Sequence, residues 1–328
     1  MGKQNDAFTA YLGRAEVLAD LYNGCLYQGE EVVQAGNLCE VQQFYQQGLS
    51  ERVKRPTARR RERDAIRAFW NEKNYVLLAA EAQNQPHLTI LPFRCMEYDL
   101  AEYARQLRYI RLKSEGKLKT GVEYLSKMGR KDHLTPIVTI VLYHGMEPWD
   151  APKKLSEMME LEEIDPILKQ MVQEYQIYVF SLEELQEEYF QTNLRELIGL
   201  MKRRSSKTKI QEYCRKHADR ISRMDVATYD MICVMLNLKE LQDKKEKYLE
   251  NGKESIDMCK AMEEWAEELR EEGKSAGIKE GELRGMQKAK ESTLKLVAKM
   301  SENGDTEYIA RLMEPEVYRR MMDKYGME

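Results

Sequence analysis

Two acids and an amide stand where a short hairpin would bring them together. Asp64 precedes the apolar run Ala65–Trp70, and Glu81 and Gln83 follow the run Tyr75–Ala80. Between the runs, Asn71-Glu72-Lys73-Asn74 has the composition of a turn joining two antiparallel strands. With the turn centred between Glu72 and Lys73, opposed residues have numbers that sum to 145, so Asp64 faces Glu81. Opposed residues of such a pair have Cβ atoms about 5 Å apart. Gln83, two positions beyond Glu81, points to the same side of the strand. Carboxylates this close repel each other unless a positive group intervenes. A divalent cation is the natural remedy. Two carboxylates completed by water and phosphate oxygens suit Mg²⁺, with Mn²⁺ or Ca²⁺ as substitutes. Such an ion would polarise a phosphoryl oxygen and lower the pKa of a bound water. Gln83 could orient that water but cannot act as a general base. A plainer reading of the same residues also stands: Asp64 as an ion-paired strand end among arginines, and Glu81 as a partner of Arg94.

The residues just upstream extend the picture. Arg52, Lys54, Arg55, Arg59, Arg60, Arg61 and Arg63 crowd in front of Asp64, although the chain as a whole carries a net charge of −4. A local basic patch on an acidic protein can hold a phosphate backbone without reading its sequence, with Arg59, Arg60, Arg61 and Arg63 nearest the acids. A solvated charged loop is the alternative.

The elements that would position these groups follow from hydrophobic periodicity. Asp6 to Leu26 repeats its apolar residues at helical spacing. The two hairpin strands are apolar on both faces, as strands covered by helices on both sides are, with Arg67 the exception. Met96 to Leu112 returns to helical spacing. Pro136 to Tyr143 is the strongest strand signal in the chain, ended by His144-Gly145, and Gln176 to Phe180 is a weaker one. The alternation predicts an α/β domain over residues 1–190. Beyond it, 193–204, 208–222, 227–242 and 255–300 all read as helix, which divides the rest into a helical region, 191–250, and a charged helical tail, 251–328. The tail carries Gly273, Gly277, Gly281 and Gly285. Glycine costs about 1 kcal/mol per helical position relative to alanine, so this segment reads either as a weakly ordered tail or as a small-residue face for another helix. The C-terminal helices could thereby join copies of the chain.

Four blocks then occur in the order of a known family. They are Arg61-Glu62-Arg63-Asp64, Leu78-Ala79-Ala80-Glu81-Ala82-Gln83-Asn84-Gln85, Leu91-Pro92-Phe93-Arg94-Cys95-Met96-Glu97-Tyr98, and Leu134 to Gly145 followed by Trp149. From about Asp6 to Trp149 the chain resembles the recombination-promoting nuclease (Rpn), transposase-like family of the PD-(D/E)XK nuclease superfamily. The resemblance implies a restriction-endonuclease-like core, a mixed central sheet flanked by helices, with an all-α region after it. It also implies a metal-dependent DNA endonuclease that promotes recombination, with Asp64 and Glu81 as metal ligands. Gln83 takes the position where the wider superfamily usually has lysine, and Asp6 resembles the acid that opens the family's first helix. The family often reads E-x-Q-S around the second acid, whereas Asn84-Gln85-Pro86-His87 follows here. A catalytically decayed nuclease fold that binds DNA or protein is the alternative function.

Composition sets the outer limits. With 42 % hydrophobic residues the chain can build a substantial core. Its longest apolar run, Ile137 to Tyr143, is too short to cross a bilayer, and the N-terminus has no signal-like segment, so a cytoplasmic protein without membrane attachment is expected. The six cysteines form no C-x-x-C pair and read as reduced thiols. His87, His133 and His217 share no metal-ligand spacing with any cysteine, His144 reads as a structural strand end, and no phosphate-binding G-x-x-x-x-G-K-[ST] loop is present.

Overall fold

A computed structural model describes residues 3–41, 65–71, 74–114, 118–249 and 255–327. The chain forms two compact units, Met1–Met262 and Glu263–Glu328. In the first, a five-stranded sheet runs in the order β1 (Leu38–Glu40), β2 (Ala65–Asn71), β3 (Asn74–Gln83), β4 (Ile137–Tyr143) and β5 (Tyr178–Ser181). The first three strands are antiparallel neighbours, whereas β3, β4 and β5 are parallel. A parallel pair needs a crossover, and the helix Leu91–Ser114 supplies it between β3 and β4. The fold is therefore α/β with a mixed central sheet, as expected.

The hairpin register is the one read from the sequence. Ala65 pairs with Ala80 and Asn71 with Asn74, both summing to 145. Both strands run further than expected, to Asn71 and from Asn74 to Gln83. The edge strand β1, only three residues long, carries no periodic signal and was not anticipated.

The segment Asp6 to Leu26, read as one helix, is two: α1 (Lys3–Leu12) and α2 (Ala15–Tyr27), broken at Gly13-Arg14 where Arg14 is extended. The apolar spacing continues across the break, so periodicity alone cannot reveal it. Arg67, the polar exception of the hairpin, explains how the break is held: its Nε donates to the Gly13 carbonyl at 2.7 Å. The Tyr22 hydroxyl of α2 reaches between β3 and β4, accepting from the Ala79 amide (3.0 Å) and lying 2.8 and 2.7 Å from the Ala79 and Val138 carbonyls.

Helices from beyond residue 190 complete the first unit. Asp20 of α2 accepts hydrogen bonds from the amides of Gln191 and Thr192 at 2.9 and 2.8 Å. The Tyr11 and Thr228 hydroxyls lie 3.0 Å apart. Within this helical part, Met224–Asp225 and Ser255–Ile256 pair as a two-residue ribbon, too short to show in the sequence. No disulfide joins any of the six cysteines, all of which lie among the described residues.

The helix Met258–Glu302, of which the part from Glu263 on belongs to the second unit, continues through all four glycines. A Cβ built on any of them meets nothing within 4 Å. Further on, Leu296 and Met300 pack against Met321 of the helix Pro315–Lys324, with Tyr308, Ile309 and Tyr318 around them. Among the described residues, no helix is long and apolar enough to cross a membrane.

Candidate active site

The C-terminal end of β3 carries Glu81 and Gln83, opposite Val141 and Tyr143 of the parallel neighbour β4. The carboxyl ends of adjacent parallel strands are where open α/β sheets place ligands. Both side chains lie on the same face as Leu77 and Ala79. Asp64 precedes Ala65, the residue that pairs with Ala80. Asp64 lies outside the described residues, as do Arg59, Arg60, Arg61 and Arg63. Asp6 falls within α1.

The crossover helix, α3 (Leu91–Ser114), brings a cation to Glu81. Leu91 and Cys95, one turn apart, bury against Val141 and Ile177. Arg94, on the same side of the helix, therefore projects toward the sheet. Its Nη2 stands 3.7 Å from Glu81 Oε2, with the Glu81 side chain 3 % exposed and that of Arg94 23 %. This is an ion pair at a distance beyond an ordinary hydrogen bond. The Nε of Arg94 is buried and finds no acceptor among the described residues. The pairing of Glu81 with Arg94 weighed in the sequence is thus present.

Gln83 is fixed by its own loop. Its Oε1 accepts the amide N–H groups of Asn84 and Gln85 at 2.9 and 3.0 Å. Because both donors are backbone N–H groups, the amide orientation is unambiguous, and both oxygen lone pairs are used. What Gln83 has left to offer is its NH₂. The loop that departs from the family's usual pattern is tied down as well. The Asp150 amide donates to the Pro86 carbonyl at 3.1 Å, and His87 stands 3.3 Å from the Asp150 carboxylate.

The end of β4 is a packed corner. The Tyr143 hydroxyl donates to the Glu147 carbonyl at 2.5 Å and passes so close to Gly145 that a Cβ there would lie 2.0 Å from it. Glycine is required at that point by contact. Arg204 donates to the carbonyls of His144 and Gly145, both at 2.7 Å, while the His144 amide donates to the Gln83 carbonyl at 2.9 Å. The His144 ring meets Phe8 of α1 edge-on, with centroids 5.2 Å apart. Burial, reinforced by the Arg204 charge, pushes its pKa down to about 4. A neutral, buried imidazole fits the structural role expected from its place at a strand end.

Glu81 offers a hard, buried carboxylate oxygen, the donor type that Mg²⁺ and its relatives take. Gln83 Oε1, already spent on two amides, does not suit a ligand role. No group of three or more His, Cys, Asp or Glu side chains gathers into a metal cage among the described residues. A site built from Glu81 and one facing acid would use water and substrate oxygens for the rest.

Sequence reasoning left two features unseen. The division of labour within the Gln83 amide needs the loop geometry. The anchoring role of Arg204, sixty positions beyond its partners, leaves no local signal.

Residues 68–230 match the family described as "Putative transposase, YhgA-like". No curated protein and no solved structure gives a significant match. The matched stretch begins within β2, just after Asp64, and contains Glu81, Gln83, Arg94, His144 and Arg204. Over residues 68–230 the chain thus matches the YhgA-like putative transposase family, which belongs to the Rpn/PD-(D/E)XK nuclease-like group.

Proposed function

We propose that the chain is a divalent-metal-dependent DNA endonuclease of the Rpn type, acting in recombination. The single observation that carries this reading is the hairpin register. Ala65 pairs with Ala80, which supports the expectation that Asp64 faces Glu81, whose buried carboxylate stands at the end of two parallel strands. Glu81 and Asp64 would hold the ion. Bound Mg²⁺, or Mn²⁺ or Ca²⁺ in its place, supplies charge that polarises a phosphoryl oxygen and acidifies water. The Gln83 NH₂ donates to the oxygen of the attacking water and fixes its direction. Arg59, Arg60, Arg61 and Arg63 hold the phosphate backbone on the approach to the acids. The C-terminal helices serve to join copies of the chain.

One observation favours the second reading, a decayed nuclease fold that binds DNA or protein. The Arg94 guanidinium already offsets the Glu81 charge without any metal. Nicking of supercoiled plasmid separates the two. Wild type is expected to nick in Mg²⁺ and not in chelator, with Asp64→Ala and Glu81→Ala each slowing the reaction at least about a thousandfold while remaining folded. Metal-independent binding of plasmid with no nicking by wild type would favour the second reading.

A further inference from the structure

Arg94 is held in place and yet incompletely used. Packing of Leu91 and Cys95 against the sheet fixes its helix. Its Nη2 stays 3.7 Å from Glu81 Oε2, close enough for attraction and too far for a directional bond. Its Nε is buried with no acceptor among the described residues. A buried guanidinium N–H with nothing to donate to is costly. Elsewhere in the unit, Arg204 shares a buried Nε without an acceptor among the described residues but spends both Nη groups on carbonyls, and Arg220 lays its Nε on Glu196 at 2.5 Å.

Two residues along β3 from Glu81, Gln83 contributes donors only, since its Oε1 is taken by Asn84 and Gln85. The end of β3 thus combines an arginine fork with unspent N–H and an amide NH₂ on one face of the sheet. Planar paired donors of this kind match a phosphate, whose oxygens can accept two parallel N–H bonds. The nearby Glu81 carboxylate would repel such an anion unless a cation offset it, so anion and cation should bind together.

We infer that Arg94, with one N–H of the Gln83 amide while the other directs the water, forms a phosphate-binding site beside Glu81 that takes the non-bridging oxygens of the phosphodiester to be cut. This deepens the nuclease reading and rests on it for the identity of the phosphate. On that assignment Arg94 is a catalytic residue, and its contact with Glu81 is what remains when no phosphate is present.

Two measurements on the full chain separate this site from the nuclease reading. Calorimetric titration with inorganic phosphate needs no turnover. Wild type is expected to bind more tightly with Mg²⁺ than without, and Arg94→Ala to bind at least about tenfold more weakly, with Arg94→Lys between them. Equal binding by wild type and Arg94→Ala, or none by wild type in Mg²⁺, overturns the site whether or not the chain cleaves DNA. Cleavage of a duplex oligonucleotide supplies the second readout. Arg94→Ala is expected to lose about tenfold to a hundredfold in rate, keep its Mn²⁺ binding, and recover partly when guanidinium is added. Loss of rate together with loss of Mn²⁺ binding and no recovery would make Arg94 a support for Glu81 and overturn the phosphate contact. Phosphate binding through Arg94 in a chain that never cleaves DNA would overturn the nuclease reading alone.

Discussion

Glu196, on the helix Leu194–Lys202, and Glu81, on β3, are both buried and both have a guanidinium beside them, yet the two pairs are built differently. Glu196 is 0 % exposed and takes Arg220 Nε at 2.5 Å on one oxygen. Its other oxygen has Arg220 Nη2 at 3.4 Å and accepts the Asn193 amide at 3.2 Å. Arg220 in turn reaches the carbonyls of Gln191 and Thr192. This pair is directional, and it ties the start of one helix to the short helix Ala218–Ile221. At Glu81 the arginine keeps a distance of 3.7 Å and retains a buried, unspent Nε. A buried carboxylate that is closed by its partners serves the fold. At Glu81 the cation stands off, and on the proposed reading that carboxylate is the one that takes a metal ion.

The contrast can be broken first by removing each acid. Glu196→Ala removes the carboxylate that accepts from Arg220 and Asn193 and is expected to cost about 1.5–3 kcal/mol of stability, since Arg220 is partly exposed and keeps the Gln191 and Thr192 carbonyls. Glu81→Ala is expected to cost less, because the contact it removes from Arg94 is a 3.7 Å approach and no directional hydrogen bond. Urea denaturation of both variants checks this, and equal losses would erase the distinction between a hydrogen-bonded pair and one held at a distance.

A buried imidazole on the opposite face of the sheet sharpens the same contrast. His144 is held neutral by burial and by Arg204, with a pKa lowered to about 4. Below its ordinary value of about 6.5 the unfolded chain takes up a proton that the folded chain refuses until about pH 4. Stability contributed by His144 is therefore complete above about pH 6.5 and falls as the pH drops to about 4, by on the order of 3 kcal/mol in total. His144→Asn should flatten this part of the pH dependence, as measured by urea denaturation between pH 7 and pH 4.5. An unchanged slope would mean that other groups set it.

Much of the site's frame was legible in the sequence because strand pairing is arithmetic. Once the turn is centred between Glu72 and Lys73, every opposed pair follows, and the register from Ala65–Ala80 to Asn71–Asn74 agrees. The apolar faces of β2 and β3 likewise announced a sheet covered on both sides. The three-residue strand β1 was hidden because so short a run has no period. The break between α1 and α2 was hidden because the apolar spacing runs through Gly13 and Arg14 unchanged. Arg94 was visible as a partner for Glu81, but its stand-off distance and idle Nε are matters of packing by Leu91 and Cys95. The spent oxygen of Gln83 belongs to the same class, since an amide's two ends look alike until their neighbours are placed. The helix over 255–300 was read from the sequence and is present as Met258–Glu302, whereas composition left open what its four glycines face.

The claim on which the functional reading depends is that Glu81 and Asp64 share one cation. Electron paramagnetic resonance of Mn²⁺ titrated into the full chain tests it without requiring DNA or turnover. One Mn²⁺ should bind per chain, and that binding should weaken at least about tenfold in both Asp64→Asn and Glu81→Gln. Wild type that binds no Mn²⁺, or variants that bind it as tightly as wild type, would contradict a metal at this site.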